Sequence, residues 1–191
     1  MKTIRKSEYN ISPMILNRHS TRAMSGESLD EEEFMPLFEA ARWAPSSHNN
    51  QHWRFIYAKR DTKYWDDFFN ILGEWNQVWC KNAALLVIVV SKKTLDINGK
   101  PVRTHSFDAG AAWENLALEG SRRKLVVHGM GGFDYEKAKK LLGLGDEYNI
   151  EMMVAIGKPG KTENLPKEYH VREQHSERKP LSEIVFEGRM K

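Results

Sequence analysis

The 191-residue chain has a single cysteine, Cys80, which excludes an intrachain disulfide and suits a reducing compartment. It lacks an apolar run fit to cross a membrane. The longest, residues 83–90, falls far short of the roughly 20 residues a spanning helix needs. Residues 1–10 contain no apolar core of a secretory signal. No block of one charge sign stands out: 29 basic and 26 acidic residues are interspersed, for a net charge of +3, so charge does not argue for nucleic acid. G-x-S-x-G, Walker A and H-E-x-x-H are all absent, and the seven histidines show no metal spacing. There is no internal repeat. The chain is 40% hydrophobic and 29% charged, which reads as one globular cytoplasmic domain over 1–191 with a sizeable core.

Hydrophobic spacing gives a coarse order of elements. Ser12-Pro13 opens a short helix, because proline in the first turn has no N–H to waste. Ser28 and Glu31 have capping-box spacing ahead of Phe34, Leu37, Phe38 and Ala41 at helical intervals, and that helix stops at Pro45. Residues 54–58 read as a strand, 62–72 as an aromatic-rich helix, and 83–90 as a strand covered on both faces. The small residues of 108–123 mark a central buried helix that another helix can approach closely. A loop at 129–132, a helix 135–142 capped by Asp134 and a strand 152–156 follow. From Lys158 the composition turns polar and proline-rich, yet Leu181, Ile184, Val185 and Phe186 need burial. Such a tail wraps something, often a second subunit. The fold class is α+β, a small sheet surrounded by helices.

Three segments could carry chemistry. Arg18, Ser20 and Arg22 share one face of an extended segment. They form either a phosphate clamp, since guanidinium forks match phosphate oxygens, or a solvated basic loop. Residues 45–51 supply Ser46, Ser47, Asn49, Asn50 and Gln51. They form either a hydrogen-bonding edge for a polar heterocycle or a turn where Ser and Asn are locally favoured. Gly129-Met130-Gly131-Gly132 is not G-x-G-x-x-G, so any nicotinamide cofactor binds without a dinucleotide fold. The glycines either admit a ligand to the backbone or simply precede a helix. Asn76, polar amid aromatics, points at something polar. Trp75, Trp79 and Trp113 read as core, and Cys80 as a packed thiol.

Taken together and in order, these segments resemble the FMN-dependent nitroreductase family over nearly the whole chain. Arg18-His19-Ser20-Thr21-Arg22 is similar to the family's R-x-S-x-R. Ala40-Ala41 through Ala44-Pro45-Ser46-Ser47-His48-Asn49-Asn50-Gln51-His52-Trp53 is similar to A-A-x-x-A-P-S-x-x-N-x-Q-P-W. Asn76 before the 83–90 strand, His128-Gly129-Met130-Gly131-Gly132-Phe133-Asp134, Gly157-Lys158-Pro159 and Arg178-Lys179-Pro180-Leu181 complete the series.

The resemblance implies a nitroreductase-like α/β sandwich with a mixed sheet, in an intertwined homodimer. FMN would be held by Arg18, His19, Ser20, Arg22 and Arg178, with Asn76 on the flavin ring and Met130, Gly131 and Gly132 along its edge. Pro45, Ser46, Ser47 and Asn49 would come from the partner subunit. NAD(P)H would reduce the flavin, and a nitroaromatic, quinone or similar acceptor would reoxidise it in ping-pong turnover. No side-chain acid or base and no metal is implied. Two departures stand out. His52 replaces a usual proline, which implies a less rigid start to the following strand. Arg122-Arg123-Lys124-Leu125 replaces small residues, leans towards NADPH and leaves substrate class open. A flavin-fragmenting or reductively dehalogenating relative, and a non-enzymatic phosphate-ligand binder, remain the other readings.

Overall fold

The computed structural model describes residues 5–190. Strands β1 (Trp53–Lys59), β2 (Leu85–Lys92), β3 (Val126–Met130) and β4 (Tyr148–Gly157) form one sheet in the order β1-β2-β4-β3. The expectation of a mixed sheet meets a sheet that pairs antiparallel throughout these four strands. Apolar runs signal burial but carry no strand direction. Helices α1 (Pro13–Asn17), α2 (Glu31–Arg42), α3 (Trp65–Phe69), α4 (Glu74–Cys80), α5 (His105–Arg122), α6 (Tyr135–Leu142) and α7 (Lys167–His170) surround the sheet.

Strand β2 explains why the 83–90 run is wholly apolar. Its side chains alternate between two covered faces. Leu86, Ile88 and Val90 enter one layer with Phe68, Trp79 and Tyr169. Leu85, Val87 and Val89 enter the other with Phe34, Leu37 and Leu116. The central helix packs against α2 as its small residues foretell, and Asn115 Nδ2 donates to the Ala40 carbonyl at 3.2 Å.

Several boundaries differ from the sequence reading. Helix α2 is capped at Asp30 rather than Ser28: the Glu33 carboxylate accepts the Asp30 N–H at 2.9 Å, the same spacing two residues on. Leu29 is buried, which keeps the preceding segment outside the helix. The helical stretch at 62–72 shrinks to α3, and α4 forms where only an isolated polar residue is expected. Gly129 and Met130 belong to β3, because pairing with β4 overrides the loop signal of the glycines. Asp134 caps α6 as expected, accepting the Lys137 N–H at 2.9 Å. The tail supplies Leu165 and Tyr169 to the core. The Tyr169 ring stacks on Trp75 at 4.3 Å, and its hydroxyl donates to the Trp75 carbonyl at 2.8 Å. Leu181, Ile184 and Val185 stay exposed in the single chain. No helix among the described residues is long and apolar enough to cross a membrane.

Candidate functional site

After α1 the chain runs without helix or strand through residues 18–23, and Met24 bridges to Pro159. This path brings Arg18, His19, Ser20 and Arg22 to one cavity of about 280 Å³, and the tail delivers Arg178 to the same place. Arg5 and Arg172 also line it, so five guanidiniums share one small volume. Arg18 Nη1 donates to Ser20 Oγ at 2.9 Å, and Arg178 Nη1 donates to Ser176 Oγ at 2.9 Å. Arg5 Nη1 donates to the carbonyls of Leu16 and Arg18 at 2.9 and 2.7 Å.

Carboxylates offset part of this charge, Glu177 among them through its charge on Arg5. Glu173 lies 3.4 Å from the Arg22 guanidinium, and Glu114 on α5 lies 3.7 Å from Arg18 Nε. The remainder is crowded: burial, then the charges of Arg178 and Arg18, lowers the pKa of Arg5. An anion placed here would relieve that repulsion. The neighbouring histidines are biased towards neutrality. Burial pushes His128 down to about 4 against the hydrogen bond its Nδ1 donates to the Thr21 carbonyl at 3.0 Å. Burial and then His175 lower His19, whose ring lies 4.4 Å from that of His175. The cavity therefore suits a phosphate rather than a metal, because its donors are guanidiniums and hydroxyls.

A second grouping forms at the end of β3. Asn76, on α4, donates through Nδ2 to the Gly132 carbonyl at 2.9 Å. A Cβ on Gly132 would sit 2.8 Å from that nitrogen, so a larger residue would break the contact. Met130 and Gly131 line a different cavity of about 350 Å³ with Gly129, Trp113 and Glu151. Of the three tryptophans read as core, Trp79 is buried, Trp113 is partly buried and packed against the core while lining this cavity, and Trp75 is exposed in contrast to the expectation. The Glu151 carboxylate accepts from the hydroxyls of Ser106, at 2.8 Å, and Ser91. Cys80 is buried with Sγ 3.8 Å from Met130 Sδ, the packed thiol expected of it.

The third segment stands apart. Pro45, Ser46, Ser47 and Asn49 do not line the arginine cavity of their own chain. They form a tight turn in which His48, Asn49 and Gln51 all have positive φ, between 50° and 55°. Ser46 Oγ accepts the Gln51 N–H at 3.0 Å, and Asp108 Oδ2 accepts the Ser47 N–H at 2.9 Å. His52 is fully buried, with Nδ1 donating to the Lys92 carbonyl at 2.8 Å. The side chain that replaces proline is thus an anchor, in contrast to the looser start expected there. The basic cluster after α5 is also less free than its sequence suggests, because Arg122 and Arg123 both bind Glu119 at 2.6–2.7 Å.

Arg5, Arg172, Glu173 and Asp108 escape a reading by motif. Arg5, Arg172 and Glu173 meet the site over long range and carry no local signal. Asp108 sits in the first turn of α5, where an acidic residue already has a reason to be, namely the helix dipole.

The chain matches the sequence model of the Nitroreductase family over residues 15–78 and 62–158. Protein DrgA of Synechocystis sp. is 30% identical over 171 residues, covering 72% of this chain and 77% of that protein. MhqN of Bacillus subtilis, provisionally named an NAD(P)H nitroreductase, is 24% identical over 88% of this chain and 93% of its own length. The crystal structure of an oxidoreductase containing FMN superposes with a TM-score of 0.94 at 40% identity, covering 100% of this chain and 98% of that one. On its sequence match and on these relatives, the chain belongs to the nitroreductase family of oxidoreductases.

Proposed function

We propose that this protein is an FMN-dependent oxidoreductase that takes electrons from NAD(P)H and passes them to nitroaromatic, quinone or similar acceptors in ping-pong fashion. The observation that carries the reading is the convergence of Arg18, Ser20, Arg22 and Arg178 on one cavity, with Arg5 and Arg172 beside them. That donor set fits a phosphate monoester. The FMN named for the 40%-identical structure supports the cofactor, and the provisional name of MhqN supports NAD(P)H. When bound, FMN supplies the carrier of two electrons, and the protein supplies binding and orientation.

In this reading Arg18, Arg22 and Arg178 neutralise the phosphate, while Ser20 and His19 complete the clamp. Asn76 and Gly132, joined at 2.9 Å, fix the turn after β3 that brings Gly131, with Met130 at the strand end, to the flavin edge. The turn with Pro45, Ser46, Ser47 and Asn49 serves the site of a partner copy, since it does not reach the arginine cavity of its own chain. The exposed Leu181, Ile184 and Val185 are assigned to the same homodimer contact. No side chain is assigned as acid or base.

Purified protein should be yellow, NAD(P)H should bleach it without oxygen, and light scattering should give a dimer mass. A colourless chain that takes up no added FMN would overturn the reading. A screen of acceptors, run with NADH and with NADPH, identifies the substrate class.

A further inference from the structure

The turn 46–51 holds three non-glycine residues at positive φ: His48 at 55°, Asn49 at 52° and Gln51 at 50°. Such a conformation persists only when its surroundings determine it. Two other elements and one bond within the turn supply the constraint. From the 92–96 segment, the Lys92 carbonyl accepts from His52, and the Asp96 N–H donates to Asn50 Oδ1 at 2.8 Å. From within the turn, Ser46 Oγ accepts the Gln51 N–H. From α5, Asp108 reaches the Ser47 N–H at 2.9 Å and the Thr104 hydroxyl at 3.5 Å.

Asp108 is a buried carboxylate, and among the described residues the basic side chain paired with it is the buried His52, whose Nε2 lies 3.7 Å away without a hydrogen bond of its own. A buried carboxylate directed at a backbone N–H forms a charge-assisted bond that holds the turn. The same helix carries Glu114, six residues on, beside Arg18. Helix α5 thus touches both the arginine cavity and the separate turn, about 9 Å apart along its axis.

We propose that Asp108 is a positioning residue for the cofactor site, with its carboxylate setting the conformation in which Ser46, Ser47 and Asn49 are presented to the partner copy. This rests on the FMN reading above and on the assignment of the turn to the partner's site. Sequence motif gives Asp108 no such role, and it lines neither the arginine cavity nor the cavity at Met130 and Gly131 in its own chain.

The test uses Asp108→Ala and Asp108→Asn in the full chain, with two readouts. The first is FMN affinity by quenching of flavin fluorescence. The second is amide hydrogen exchange of the peptide 44–52 in the FMN-free protein, with a β2 peptide, 85–91, as reference. Asp108→Ala should weaken FMN about tenfold or more, the scale of losing a buried charged acceptor. It should also speed exchange in 44–52 while leaving 85–91 unchanged. Asp108→Asn, which keeps an acceptor oxygen without the charge, should fall between Ala and the natural protein in both. If the Ala variant does not fold, the Asn variant alone decides. Ile88→Val, a core change that leaves the turn intact, should move neither readout. Natural exchange in 44–52 would overturn the proposal, and so would faster exchange with unchanged FMN affinity. If the natural chain takes up no FMN, the functional reading and the cofactor half of this proposal both fail. The exchange measurement still decides whether Asp108 holds the turn.

Discussion

Glu173 accepts the backbone N–H of Arg22 through both carboxylate oxygens, each at 2.9 Å, and reaches the Ala23 N–H at 3.2 Å. Its side chain is 5% exposed, so this is a buried clamp on the segment that carries the candidate phosphate ligands. Glu173→Ala would strand two backbone donors and one guanidinium. Removing one partner of such a buried set costs about 3–5 kcal/mol. At roughly 2–4 °C per kcal/mol for a chain of this size, thermal unfolding should shift down by about 6 °C or more. FMN affinity should fall with it, because Arg22 loses its anchor.

His128 gives a pH signature. Burial holds its pKa at about 4, against 6.5 for an unburied histidine, so the folded protein keeps the ring neutral where the unfolded chain protonates it. The contribution to stability is complete above pH 6.5 and drains away as pH falls towards 4. Over that window it amounts to about 3 kcal/mol. His128→Gln should therefore lose less stability than the natural protein between pH 7 and pH 4 in urea unfolding. Equal losses would show that the folded ring takes up its proton over the same pH range as the unfolded one.

The contacts around these two residues mark what sequence could reveal. The all-apolar β2, the small-residue face of α5 and the Asp134 cap follow from local periodicity and capping chemistry, and they appear where expected. Arg18, Ser20 and Arg22 were readable as a cluster because their spacing is local. Arg178 entered by resemblance, since 156 residues separate it from Arg22. Nothing local announces that Glu173 meets Arg22 or that Asp108 meets Ser47, because those contacts exist only after the sheet has brought distant segments together. Gly129 departs from expectation for the opposite reason: its local preference for a loop loses to pairing with β4.

Gly160 lies against the chain that enters the arginine cavity. Its N–H donates to the Ala23 carbonyl at 2.9 Å, and a Cβ there would fall 2.5 Å from the Met24 carbonyl carbon. The obstacle is backbone, so a methyl group could be admitted only by moving the segment. Gly160→Ala should destabilise by about 1–3 kcal/mol and weaken FMN binding through the displaced Arg22. A melting temperature and an FMN affinity equal to those of the natural protein would refute the expectation.

Cys80 offers a probe of the packing beneath Met130. It is buried against Met130, and burial pushes its thiol pKa well above the usual range, with Arg22 opposing only in part. A thiolate is the reactive form, so the native protein should resist a disulfide reagent at pH 8 and release one equivalent of thiol only on denaturation. Any slow labelling of the native chain must then pass through opening of the α4–β3 contact. If Met130 and Gly131 border the flavin, saturating FMN should slow that labelling in step with its affinity. Labelling at an unchanged rate would place the cofactor away from β3. Labelling as fast as that of an exposed cysteine would show that the thiol is not packed in the core at all.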